Sequence, residues 1–167
     1  MDCVASDDHF MKLALREAEK AYRKEEVPVG AVLVIDGKVA GRAHNIRESQ
    51  FDPTGHAETI VLRRVARRLK RWRLSDATLY VTKEPCVMCA GVIMHARLGR
   101  LVYGCGDAKG GAQSLFQIFT DLRLNHRLNV QTGVCEAESA ALLKRFFAER
   151  RKAVRGDHES STDQECL

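Results

Sequence analysis

The sequence predicts an α/β protein, a three-layer α/β/α sandwich on a five-stranded mixed sheet. Three observations carry that expectation. Gly30-Ala31-Val32-Leu33-Val34-Ile35 is a nearly continuous apolar run, which reads as a strand covered on both faces. Asp36-Gly37 follows it, a hairpin signal because both residues tolerate positive φ. Beyond the hairpin, strand-like and helix-like segments alternate, which puts helices on both faces of one sheet. The 167 residues suffice for one domain with a real core. That domain is taken as residues 1–155, and the polar stretch 156–167 is expected to be a disordered tail.

The elements follow in order. Ser6 can cap a helix from about Asp7 to Glu25, with Phe10, Leu13, Ala14, Ala18, Ala21 and Tyr22 as its buried stripe and Glu26-Val27-Pro28 as its stop. Gly30–Ile35 pairs through the turn with a strand from Lys38 to Ala43. Asn45 to Gly55 is a polar connection, and a helix runs from about His56 to Arg71. Thr78–Thr82 is the third strand, and Pro85 is expected to open the next helix, because proline suits a first helical position. Arg100–Gly104 is the fourth strand, Cys105–Ala112 a glycine-rich loop, Ser114–Thr120 a short helix and Asn129–Gly133 a weak fifth strand. A long helix from Glu136 to about Val154 closes the domain.

Composition narrows the function classes. No apolar stretch is long enough to span a bilayer, so no membrane partner is expected. Met1-Asp2-Cys3-Val4-Ala5-Ser6-Asp7-Asp8 lacks the basic and apolar regions of a signal peptide. The expected compartment is the cytoplasm, where the six cysteines stay reduced and do not form a disulfide framework. The net charge of +5 is concentrated in two clusters. One is Arg63, Arg64, Arg67, Arg68, Lys70, Arg71 and Arg73; the other is Arg145, Arg150, Arg151, Lys152 and Arg155. Each reads either as a solvated helix face or as a phosphate-contacting surface.

The chemistry is carried by His56-Ala57-Glu58 and Pro85-Cys86-Val87-Met88-Cys89. One imidazole and two thiols are zinc ligand types, and three protein ligands point to a catalytic zinc, since structural sites hold four. Cys86 and Cys89, three apart on a helix, can share one face near its positive end, where thiolate is favoured. Two thiolates balance the +2 of zinc, and water on zinc ionises near pH 7 in well-studied sites instead of at about 15.7. Glu58 is not needed as a ligand and is suited to take that proton and pass it on. An amidine-like carbon bearing an amino group is the matching substrate: hydroxide attacks and ammonia leaves. Cys105 or His95 as a fourth ligand, making the zinc structural, stays open at this point.

His-Ala-Glu with Pro-Cys-x-x-Cys resembles the zinc-dependent cytidine deaminase superfamily. Val27-Pro28-Val29-Gly30-Ala31-Val32, Asp52-Pro53-Thr54, Glu84-Pro85-Cys86-Val87-Met88-Cys89-Ala90-Gly91, Asp107-Ala108-Lys109, Asn125-His126-Arg127 and Ser139-Ala140-Ala141-Leu142-Leu143 with Phe146-Phe147 are similar to the bacterial tRNA-specific adenosine deaminase family. The likeness spans about residues 7 to 152. It implies a cytidine deaminase-like fold, a homodimer, and hydrolysis of the wobble adenosine of an arginine tRNA anticodon to inosine. It implies one zinc per subunit on His56, Cys86 and Cys89, with Glu58 as proton shuttle in attack at C6. It also implies Asn45 as a hydrogen-bonding partner of the flipped base, Asp107 and Lys109 as anticodon-loop contacts, and Phe146, Phe147 and Arg150 as holders of flanking nucleotides. Two departures stand out. Gly55 replaces the family's alanine, which is expected to loosen the approach to His56, and the loop Gly110-Gly111-Ala112-Gln113-Ser114-Leu115 is shorter than the family pattern. Two alternatives compete with the tRNA reading. One is deamination of a free base or nucleotide of guanine, cytosine or deoxycytidylate type. The other is a zinc-stabilised binding module with no chemistry.

Overall fold

The computed structural model describes residues 6–161, with side chains through residue 153. Its elements are α1 (Asp7–Arg23), β1 (Gly30–Ile35), β2 (Lys38–His44), α2 (Ala57–Arg68), β3 (Ala77–Lys83), α3 (Val87–His95), β4 (Arg100–Cys105), α4 (Ala112–Phe116), β5 (Asn129–Thr132) and α5 (Glu136–Ser161), with a 3-10 turn at Ile118–Thr120. The sheet order is β2-β1-β3-β4-β5. β1 is antiparallel to both β2 and β3, while β3, β4 and β5 run parallel. The expected five-stranded mixed sheet is therefore present.

Local chemistry explains the elements. Ser6 accepts a hydrogen bond from the His9 backbone N–H, and Asp7 and Asp8 fill the first turn of α1, where the helix dipole favours acids. Asp36 (φ 50°) and Gly37 (φ 70°) make the tight turn between β1 and β2. Strand alternation then splits the core in two. Val32, Val34, Tyr80 and Val102 meet Phe10, Met11 and Leu13 of α1. Ala31, Leu33, Val81 and Leu101 meet Val61 and Val65 of α2 and Ile93 of α3. Each fully buried Val, Leu or Ile among them contributes about 1.5–3 kcal/mol. Tyr22, expected in the buried stripe of α1, is only half-buried.

Four expected boundaries need correction. α2 stops at Arg68 and not Arg71, because Lys70 turns left-handed (φ 51°) and Arg71 N–H closes back on the Ala66 carbonyl, a Schellman end without glycine. Pro85 is not helical: its carbonyl accepts from Ala112 N–H, and extended Cys86 caps α3. The expected helix at 114–120 is α4 plus the 3-10 turn, broken by Gln117 at φ 52°. α5 continues to Ser161, so 156–161 of the expected tail are helical; residues 162–167, with Cys166, and residues 1–5, with Cys3, lie outside the described residues.

Candidate active site and metal centre

The carboxyl ends of β2, β3 and β4 and the amino end of β1 meet at one rim of the sheet. His56 and Cys86 occupy the N-cap positions of α2 and α3, which start there. Both caps are extended (His56 φ −87°, ψ 145°; Cys86 φ −74°, ψ 173°), and neither side chain makes a capping hydrogen bond to its own helix. Cys89 is the third residue of α3 and fully buried.

His56 Nδ1 lies 3.6 Å from Cys86 Sγ and 3.5 Å from Cys89 Sγ. All three donor atoms fall within 4.8 Å of one another. A tetrahedral zinc with Zn–N near 2.0–2.1 Å and Zn–S near 2.3 Å sets its nitrogen and sulfur ligands about 3.6 Å apart. The three residues therefore fit that ion. The bond from Cys89 lowers the Cys86 thiol to about 3, with His56 adding to it, while the same pairing and burial push Cys89 up. Cys86 in turn raises the His56 imidazole. Neither sequence candidate for a fourth ligand joins the group: Cys105 directs its thiol to the Thr82 carbonyl at 3.6 Å, and His95 is exposed at the end of α3.

Glu58, in the first turn of α2, is 3% exposed. Burial holds its carboxyl above the ordinary carboxylate range. Its Oε2 is buried without any hydrogen-bond partner among the described residues. A buried carboxylate oxygen left free is costly, and Glu58 lines the same pocket as His56 and Cys86. That pocket, of about 280 Å³, is lined by Glu26, Val27, Val29, Asn45, Arg47, His56, Glu58, Lys83, Glu84, Cys86 and Phe147.

The expected substrate contacts separate into two groups. Asn45 and Phe147 reach the pocket. Asn45 Oδ1 accepts from Ala57 N–H at 2.9 Å, which fixes its amide and leaves Nδ2 as the free donor. Phe147 is 43% exposed, whereas Phe146 is 6% exposed and packs edge-on against Tyr22 at 5.9 Å. Phe146 is therefore a packing residue and is corrected as a pocket contact. Arg150 donates to the Glu25 carbonyl at 2.6 Å and covers the Phe146 ring, so it fastens α5 to the end of α1 and does not line the pocket. Asp107 pairs with Lys83; burial pushes its carboxyl up, but Lys83 together with the Lys109 and Gly110 backbone N–H groups holds it below the ordinary range. Lys109 is exposed, with its N–H donated to Asp107 Oδ1 at 3.0 Å. The Arg155 side chain lies outside the described residues.

Gly55 does not loosen the approach to His56 as expected. A Cβ there would sit 3.0 Å from the Asp52 carbonyl and 3.2 Å from Arg47 N, so the glycine permits a tighter loop. Lys83, Glu84 and Glu26 were not expected at the site. Glu26, read as part of a helix stop, is buried and accepts from Glu48 and Ser49 N–H at 3.1 and 2.7 Å, tying down the loop that carries Asn45 and Arg47. The one available signal for Glu84 was its place directly before Pro85-Cys86.

The two phenylalanines give a paired expectation. Phe146→Ala costs about 3–5 kcal/mol in urea melts with KM little changed. Phe147→Ala, at an exposed side chain, is expected to leave stability nearly intact.

The sequence matches the MafB19-like deaminase family over residues 5–151. It is 45% identical to the tRNA-specific adenosine deaminase of Bacillus subtilis (strain 168) over 150 residues, 89% of this chain and 93% of the relative. It is 47% identical to that of Haemophilus influenzae over 148 residues, 87% and 86% of the two chains. A solved structure from studies of A-to-I editing by tRNA:A34 deaminases superposes with a TM-score of 0.78 at 47% identity, covering 81% of this chain and 99% of the other. A guanine deaminase from Nitrosomonas europaea shares the fold alone, with a TM-score of 0.76 at 19% identity. Likeness at that level over nearly the whole described domain, around a rim where one imidazole, two thiols and a buried carboxylate converge, makes this chain a deaminase of the tRNA-specific adenosine deaminase family.

Proposed function

We propose that the chain hydrolyses the wobble adenosine of a tRNA anticodon, that of an arginine tRNA, to inosine and ammonia. The observation that carries this reading is the buried, unpartnered Glu58 Oε2 beside a three-member donor set. His56, Cys86 and Cys89 would hold one zinc, which when bound supplies a Lewis acid that brings the pKa of water toward 7. Glu58 Oε2 takes the proton of the attacking water and delivers it to the ring nitrogen next to C6. A second proton goes through the same carboxyl to the departing amine, so water and adenosine become inosine and ammonia. Glu58 is suited to this because its raised pKa lets it hold a proton between the two transfers. The free Nδ2 of Asn45 orients the base by its edge, and the exposed Phe147 ring offers a stacking surface for a neighbouring base. Asp107 and Lys109 stand at the rim as anticodon-loop contacts.

Two further readings accompany this one. The enzyme works as a homodimer, supported by an apolar hollow of about 700 Å³ between α2 and α3 lined by Leu62, Trp72, Met88 and Val92 among others. It acts in the cytoplasm on a soluble substrate; among the described residues no helix is long and apolar enough to cross a membrane.

Incubation with transcribed arginine tRNA is expected to place inosine at the wobble position, with turnover falling as salt rises, because bound phosphates exchange with counterions. Turnover of free guanine or cytosine with no inosine in the tRNA would overturn the reading.

A further inference from the structure

Seven of the eleven residues from Arg63 to Arg73 are Arg or Lys and none is acidic. They account for the whole net charge of +5: elsewhere 20 Lys and Arg stand against 22 Asp and Glu. All seven are exposed. Among the described residues only Arg71 has a carboxylate within ion-pair distance, Asp76 at 2.7 Å, and Arg68 donates to the Ala40 carbonyl.

Ordinary helix physics does not account for this density. The macrodipole favours cations in the last turn, which explains Arg67 and Arg68 but not Arg63 and Arg64 in the middle of α2. Arg63 with Arg67, and Arg64 with Arg68, are like charges four residues apart, a spacing that works against the helix. A solvated face would mix the two signs. Anions seated on the stripe relieve that repulsion.

The position of the stripe selects the anion. His56 is the N-cap of α2, so at 1.5 Å per residue Arg64 lies about 12 Å and Arg68 about 18 Å along the axis from that residue. A free nucleotide seated at His56 cannot span this distance; a chain of phosphates can. We propose that the basic stripe on α2 and the turn that follows it binds backbone phosphates of the RNA stem adjoining the nucleotide in the pocket. The inference rests on the reading that the substrate is a tRNA.

The test is a triple variant, Arg64→Gln, Arg67→Gln and Lys70→Gln. Arg63 is left intact because it also lines the apolar hollow. The melting temperature is expected to be unchanged or raised; a structural role would lower it. On transcribed tRNA, KM rises about tenfold or more with kcat unchanged. The dependence of log KM on log salt falls in slope by about two to three, at roughly 0.7–0.9 for each phosphate no longer neutralised. On a stemless single-stranded anticodon heptanucleotide the variant matches the wild type. Wild-type KM and salt slope on tRNA would overturn the proposal. Failure of the tRNA reading looks different, because then the wild type itself makes no inosine. In that case the anisotropy of labelled tRNA carrying inosine at the wobble position decides: no binding, or equal binding by variant and wild type, overturns the stripe as well.

Discussion

Glu58→Gln is expected to lower turnover by about 10²–10⁴-fold, the scale of a lost general acid–base, while the protein still folds and binds one zinc. The separation follows from geometry. The donor set is complete without Glu58, so its removal leaves the ligands in place. The substitution keeps the side-chain shape but cannot accept and return a proton. Folding should not suffer either, since the carboxyl is buried with Oε2 unpaired and a neutral amide is less costly to bury than a carboxylate without a partner. Three readouts on one sample check this: zinc stoichiometry, thermal melting and ammonia release. Near-normal ammonia release would remove Glu58 from the chemistry. Loss of zinc would make it a ligand and the centre a different one. The binding-module alternative predicts no activity to lose.

Sequence pattern located every described strand, β1 by its continuous apolar run and β2 by the Asp36-Gly37 turn that joins the two. β1 runs over the expected Gly30–Ile35. Helix ends were the weaker part. α1, α2 and α3 all finish on left-handed residues that are not glycine: Glu25 at φ 60°, Lys70 at 51° and Arg97 at 54°. Each is closed by the next N–H returning to a carbonyl five residues back: Glu26 to Ala21, Arg71 to Ala66 and Leu98 to Ile93. Glycine is the usual sign of such an end, and without it the apolar period of α2 runs on past the real stop. At the site, side chains that act through their own chemistry were readable: His56, Glu58, Cys86 and Cys89 stand in short motifs whose residue types name the function. Side chains that act by holding backbone were not. An isolated Glu26 or Glu84 does not announce which N–H groups from other segments will meet it. Phe146 and Phe147 were unresolved for another reason: adjacent helix positions point about a hundred degrees apart, and only the placement of Tyr22 decides which is covered.

Glu84→Ala is expected to cost about 3–5 kcal/mol and to cripple activity without touching the His56, Cys86 and Cys89 donor set or Glu58. Glu84 is 2% exposed and sits between β3 and the cap of α3. Its Oε2 accepts from Asp107 N–H at 2.7 Å and from Ser114 Oγ at 2.6 Å; its Oε1 accepts from Gln113 N–H at 2.9 Å and Ser114 N–H at 2.7 Å. One carboxylate thereby satisfies one backbone donor from the loop after β4 and two backbone donors and a hydroxyl from the first turn of α4. Hydrogen bonds to a charged group contribute about 1.5–3 kcal/mol each, and a donor stranded in the interior costs 1–3 kcal/mol; water entering the gap recovers part of the sum. Gly111 shows how closely the loop is drawn in, since a Cβ there would lie 2.3 Å from the carboxylate carbon. The same loop carries Asp107 and Lys109 and pairs with Cys86 through Gly111, so its release loosens both the rim and the α3 cap. Urea melts should show the stability loss, and hydrogen exchange should rise first at 107–114. Kinetics on tRNA should show KM raised as well as kcat lowered, whereas Glu58→Gln acts on kcat alone. Glu84→Gln, which retains one acceptor oxygen, should fall between. A variant with wild-type stability, an unchanged exchange pattern and normal kinetics would mean that the loop is held by other contacts.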